Sequence, residues 1–311
     1  MTRNWNDMPN EVKFMIVDKM DIVTRVKLKM CSKSDKTIVE SVPCRVEGLV
    51  AVYSWLGVDN LKIGTFRHQF VQQSNNKNRE IKLSSKLRKY TPDHLIKKCF
   101  NNLLLKGNLH MNNFITDLDC SKKLENVKID TKKMMVMSKD ALKWVKLASS
   151  KTKNISIDQP SQPGEDSVME GLGLIPGIIN ADVSRITGRT DINDEQLLTF
   201  KFKEGYVDQT QTTVHGIANF IKKIIANDYP TSTWVDIGTT NDIGDSVFDH
   251  FHHEVNFVDG ETNVKQVRIE MTAEKEVVLF YHYDNECYSI CVQKVGSTVG
   301  SHQEMFNALF P

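Results

Sequence analysis

Along the first 45 residues, apolar side chains recur with the 3.6-residue period of a helix. Met8, Val12, Met15, Ile16 and Met20 fall on one stripe, and Phe14 and Val17 add a second apolar edge that widens it. Asn6 or Asp7 can cap this helix. Pro9 suits its first turn, where a missing N–H costs nothing, and Glu11 meets the positive end of the helix dipole. Asp21 can cap a second helix, with Ile22, Val26 and Met30 along one side and Leu28 and Cys31 along another. Ser32 or Ser34 can cap a third, which runs through Ile38 and Val42. A lone core below roughly 70 residues supplies no more than about 3 to 5 kcal/mol. Two apolar faces on so short a unit therefore predict that something outside it covers one of them.

The helical pattern breaks at residues 43–48, with Pro43 and Gly48, and this sets the expected domains as 1–45 and 46–311. A looser break lies at 158–164, where Pro160, Pro163 and Gly164 cluster. Beyond the first break, short apolar strands alternate with helical stretches: strands at 124–129, 154–157, 181–186, 200–206 and 233–237, and helices at 140–148 and 213–226. The second helix is striped by Ile217, Phe220, Ile221, Ile224 and Ile225. Strand centres fall about 28 residues apart, within the period of leucine-rich repeats, although the Asn ladder and fixed Leu spacing are absent. Near the end, apolar and polar residues alternate at Val267, Ile269 and Met271, at Val278, Phe280 and His282, and at Tyr288, Ile290 and Val292. The expected fold is α+β: a three-helix unit, then an α/β, degenerate leucine-rich-repeat-like domain ending in an antiparallel β-meander.

Charge adds one feature to this pattern. The net charge is +1, yet residues 77–153 hold 19 Lys and Arg against 7 Asp and Glu, so the remainder of the chain is acidic. A basic segment can meet nucleic acid or an acidic partner; without an aromatic stacking motif it reads as a solvated helical face. The first residues lack the apolar core of a secretory signal, and no stretch approaches the roughly 18 apolar residues of a membrane helix, which predicts a cytoplasmic or nuclear protein. Six scattered cysteines, Cys31, Cys44, Cys99, Cys120, Cys287 and Cys291, are expected to be free thiols.

Candidate chemistry is sparse. Asp249, His250, His252, His253 and Glu254 form the densest set of metal-ligating types, but adjacent histidines without a second spaced pair read as a surface helix end. Cys287 and Cys291 share a strand face without ligand spacing, and Gly171, Gly173 and Gly177 miss the dinucleotide fingerprint by one residue. Neither a nucleophile elbow, a P-loop, a zincin motif nor a zinc-binding cysteine set occurs. A non-catalytic role with no cofactor and no metal is the expectation.

Trp5, the run Met8-Pro9-Asn10-Glu11-Val12, and Ile16, Met20, Arg25, Leu28 and Cys31 are similar to the F-box pattern. The resemblance implies a substrate-recognition adaptor of a Skp-cullin-F-box ubiquitin ligase. Met8, Pro9, Val12, Ile16, Met20, Leu28, Cys31 and Ile38 are then implied to insert into the Skp adaptor, and through it reach a cullin, with Met8 and Pro9 as the first anchor. Met8 stands where Leu is usual and Cys31 where Val is usual, both volume-tolerant exchanges. Asp35 stands where many F-boxes carry Trp, which implies loss of an aromatic anchor from the interface or the core beneath it. The run Met30 to Asp35 looks like the variant F-boxes of nematode-type families. Leu197-Leu198 and the Asn-Phe-Ile-Lys at 219–222 resemble the F-box-associated domains that follow in them. Two other readings stay open: a scaffold or decoy that no longer binds the adaptor, and a nucleic-acid binder using residues 77–153.

Overall fold

A computed structural model describes residues 5–52, 55–58, 61–66, 69–74, 77–81, 92–105, 109–138, 140–158, 168–251, 256–257 and 263–297. The chain divides into two compact units, Met1–Pro160 and Ser161–Pro311. The break expected at 158–164 has Pro160, Pro163 and Gly164 outside the described residues.

The first unit opens with a 3-10 turn, Trp5–Asp7, followed by helices α1 (Asn10–Asp18), α2 (Ile22–Lys29) and α3 (Lys33–Ser41). Their starts follow from local chemistry. Pro9, not Asn6 or Asp7, is the N-cap of α1 and makes no side-chain capping bond, whereas Asp21 accepts the Thr24 N–H at 2.8 Å to cap α2 and Ser32 accepts the Asp35 N–H at 3.0 Å to cap α3. Val17, Ile38, Val39 and Val42 form the core, with Trp5, Met20 and Leu28 packed against it. Arg25, almost fully buried, donates from Nε to the Met20 carbonyl at 3.2 Å and from Nη1 to the Val42 carbonyl at 2.9 Å.

From α3 the chain passes directly into β1 (Cys44–Val52), then β2 (Trp55–Val58), β3 (Leu61–Phe66), β4 (Gln69–Ser74) and β5 (Lys77–Ile81), which pair antiparallel in sequence order. Helix α4 (Pro92–Leu105) precedes β6 (Leu109–Thr116), β7 (Asp130–Val136), helix α5 (Ala141–Leu147) and β8 (Asn154–Asp158). Here the pairing is parallel: β1 with β6, β6 with β7, β7 with β8. The core between this sheet and its helices is aromatic. Phe100 of α4 and Trp144 of α5 meet Phe114 of β6 at centroid distances of 5.9 and 5.5 Å, and the Trp144 indole donates to the Leu118 carbonyl at 2.7 Å.

The strand expected at 124–129 is not one. Leu124 ends a 3-10 turn, Lys122–Leu124, and Ile129 makes only an isolated bridge to Ala148. Both side chains are buried, but they plug a turn, and the strand is β7. Exposed Lys132 and Lys133 interrupt its apolar positions, so its sequence lacks the alternation that marks a half-buried strand.

The second unit contains α6 (Pro176–Ile179), β9 (Val183–Thr187), α7 (Asp194–Leu197), β10 (Glu204–Thr210), α8 (Val214–Ala226) and β11 (Trp234–Thr239). Strands β9, β10 and β11 are parallel. After them come β12 (Asn256–Phe257), β13 (Val264–Glu270), β14 (Lys275–His282) and β15 (Cys287–Lys294). The last four are antiparallel in order, and β15 joins the edge of β11. Strand β10 starts four residues later than the 200–206 expectation. Phe200 and Phe202 lie ahead of it, fully buried with their rings tilted and their centroids 5.1 Å apart, and Phe202 reaches Phe220 of α8 at 6.2 Å. Their bulk serves helix packing, not the strand. Thr213 caps α8 by accepting the Gly216 N–H, and Asp194 accepts the Thr213 N–H at 2.8 Å. A β-carbon on Gly216 would lie 2.0 Å from the Asp194 carboxylate, so only glycine fits there.

Arg25→Ala is expected to leave the buried Val42 carbonyl without its donor, at a cost of about 1 to 3 kcal/mol, and to free the part-buried Met20 carbonyl at a smaller one. Hydrogen exchange should then show amides of α1 to α3 exposed while those of α8 keep their protection. Equal protection in the variant would remove Arg25 from its structural role.

Candidate adaptor-binding site

Helix α1 buries only the ridge of Lys13 and Val17, four residues apart on one side. Elsewhere on α1 Ile16 is half-buried, while Val12, Phe14 and Met15 are exposed, Met15 by 71%. Helix α2 turns Arg25 inward and leaves Val26 exposed, and Met30, just past its end, is 82% exposed. Isolated exposed apolar residues are ordinary on proteins, but five on a unit this small are a concentration that marks an interaction surface.

The residues predicted from sequence divide into three groups. Pro9, Val12 and Cys31 are exposed, and the Cys31 thiol lies 3.4 Å from the Lys27 carbonyl. Met8, Ile16, Met20 and Leu28 are half-buried, the last two against the helical core. Ile38 is only 6% exposed and belongs to that core, so it supports the surface from beneath without being part of it. Met15 shares the stripe of the expected contacts on α1, while Phe14 on its second edge and Val26 and Met30 on the other side of the α2 segment are not among those contacts. Periodicity shows that a helix has two apolar sides; it cannot show which of them the neighbouring helices take.

Asp35, which stands where many F-boxes carry Trp, binds the N-terminal turn. The Trp5 indole packs against the Val17–Ile38 core, and its Nε1–H donates to Asp35 Oδ1 at 2.7 Å. Ser32 Oγ donates to Asp35 Oδ2 at 2.7 Å, while Lys13 Nζ sits 5.8 Å from the Trp5 ring centroid. Asp35 thus anchors an indole brought from elsewhere in the chain. Hydrogen bonds from Trp5 first and Ser32 second hold its carboxyl below the ordinary value, outweighing the opposing effect of burial.

Because the folded pKa lies below the unfolded one, Asp35 contributes stability that is present above about pH 4 and is lost as pH falls through the folded value. Thermal melts of Asp35→Asn should differ from the parent at neutral pH and converge with it in acid. A gap independent of pH would separate the ionised carboxylate from the stability of this unit.

Other candidate chemistry remains dispersed. Residues 252–255 of the His-rich cluster lie outside the described residues, and no metal-ligand group is assembled among those described. Cys287 and Cys291 are buried free thiols, the latter pushed up to about 12 by desolvation. Gly171 takes a left-handed φ of 73° just before a 3-10 turn, and Gly177 lies inside α6.

Compared with known families, residues 5–47 match the F-box domain, a span from the Trp5 turn into the start of β1. No curated protein and no solved structure matches the chain.

Proposed function

We propose that the chain is the substrate-recognition subunit of a Skp-cullin-F-box ubiquitin ligase, a non-catalytic adaptor that holds a protein target for ubiquitination. The observation that carries this reading is the set of apolar side chains left outside a complete helical core, within the segment that matches the F-box domain. In this reading Met8, Pro9, Val12, Ile16, Met20, Leu28 and Cys31 contact the Skp adaptor, joined by Phe14, Met15, Val26 and Met30, over a surface near the roughly 800 Å² per partner of a standard interface. Ile38 holds the helices in register below them.

The mechanism is tethering. The F-box segment is fixed to the ligase, residues 46–311 hold the target, and target lysines reach a high effective concentration beside a conjugating enzyme carried elsewhere in the complex. Nothing in this requires catalysis by the chain. The parallel strands with intervening helices in each unit are compatible with a degenerate leucine-rich-repeat-like recognition domain of the nematode-type F-box-associated kind. Among the described residues no helix is long and apolar enough to cross a membrane, which is compatible with action in the cytoplasm or nucleus.

Met15→Asp combined with Met30→Asp should abolish co-purification with a Skp adaptor while leaving the melting curve within about 0.5 kcal/mol of the parent, because both side chains are already in solvent. Ile38→Ala should instead cost about 2 to 5 kcal/mol and lose adaptor and fold together. A folded parent protein that associates with no adaptor paralogue would transfer the assignment to a scaffold or decoy.

A further inference from the structure

Where β1, β6 and β7 begin, the first unit holds a cleft of about 820 Å³. Parallel pairing sets Arg45, His110 and Asp130 side by side in one cross-strand row. Lys151 and Lys153, on the approach to β8, and Lys132 complete its charged lining. Four Lys and Arg side chains and His110 thus face two carboxylates, Asp130 and Glu47. Both acids are already engaged. Asp130 Oδ2 contacts His110 Nδ1 and accepts from Lys151 Nζ at 3.0 Å, and Glu47 Oε2 accepts from Asn112 Nδ2 at 2.7 Å. Burial acts to raise the Asp130 pKa, but the bonds from Lys151 and His110 outweigh it, and the carboxyl titrates below its ordinary range.

Although its walls carry both signs, the balance of the cleft is positive, and a concave surface with a net positive field draws anions to it. The Arg45 guanidinium, 76% exposed, is paired with Asp18 only at 4.0 Å, a surface contact worth little and easily exchanged for a ligand anion. The dimensions exclude a lone ion as the natural fit. Four adjacent chain segments about 4.8 Å apart span about 14 Å, the length of roughly four extended residues. Among the described residues no Phe, Tyr or Trp lines the cleft, so it lacks the stacking platform with which proteins hold single-stranded nucleic acid.

We propose that this cleft binds a short acidic peptide segment, its carboxylates or phosphates meeting Arg45, Lys132 and Lys153 along an extended backbone. Only the consequence that this segment belongs to the captured target rests on the ligase reading; the binding itself does not.

The test is fluorescence polarisation with the full chain and matched labelled peptides: one rich in Asp and Glu, one carrying phosphoserines in a neutral background, and one neutral. A single-stranded oligonucleotide is titrated alongside. At least one anionic peptide should bind about tenfold or more tightly than the neutral one, weaken with salt, and lose about tenfold in Lys132→Glu combined with Lys153→Glu. The stronger of the two anionic peptides identifies the anion. Equal binding of charged and neutral peptides, undiminished binding by the double variant, or an oligonucleotide that outbinds every peptide would each overturn the proposal. Adaptor co-purification, measured on the same parent and variant, separates the two claims: loss of adaptor association with peptide binding retained sinks only the ligase reading, and the reverse sinks only the cleft.

Discussion

Arg25 joins α2 to the ends of both other helices. The carbonyls it binds, Met20 just beyond α1 and Val42 at the end of α3, are among the groups a helix leaves without internal partners at its C-terminus. A cation is favoured there because both helix dipoles present their negative ends. Burying a guanidinium without such partners is costly, and even here its Nη2 finds none among the described residues. The inward side of α2 is thereby shared between this polar clamp and Leu28, which packs on the helical core. Val26 is left outside, as Val12, Phe14 and Met15 are on α1, where Lys13 and Val17 occupy the inward ridge. Which apolar residues stay outside follows from what the interior has already accepted.

The same economy explains Asp35. A carboxylate in a core of four aliphatic residues is tolerable only if its oxygens are satisfied, and Trp5 and Ser32 supply one donor to each. The indole gains a fixed orientation, the cap of α3 gains a second bond, and the N-terminal turn is tied to α3 across 30 residues of chain. Asp35, which departs from the F-box pattern when read alone, is the hydrogen-bond partner of Trp5, which fits it.

How much was legible in the sequence follows from the same distinction between local and distant causes. Helix α8 was readable because its cap, its stripe and its length all act within 14 residues, and the burial of Ile217, Phe220, Ile221 and Ile224 matches that stripe. Strands β7 and β10 were misplaced because their boundaries depend on distant partners. Leu124 and Phe200 are as apolar as any strand residue, yet both serve packing ahead of the strand. The antiparallel run from β2 to β5 went unnoticed, since Lys, Gln and Asn at 69–81 blunt any alternation. At the site, the spacing identified the helices. It could not rank Ile38 against Met30, because inside and outside are decided by a helix that approaches from elsewhere.

The excess of basic residues at 77–153 shows the same limit from the side of charge. As a run it suggests a surface, but the fold scatters it: Lys143 pairs with Asp140 on its own turn at 2.7 Å, and Lys128 reaches the Lys146 carbonyl at 3.4 Å. What gathers a part of it is parallel pairing. Strands that run the same way begin at the same edge, so residues at equivalent positions of successive strands meet although more than 20 residues of helix and loop separate some of them. Arg45 lies outside the basic run and still joins Lys132, Lys151 and Lys153 at that edge. The charge gathered at that edge is therefore set by strand phase, which net charge along the chain does not report.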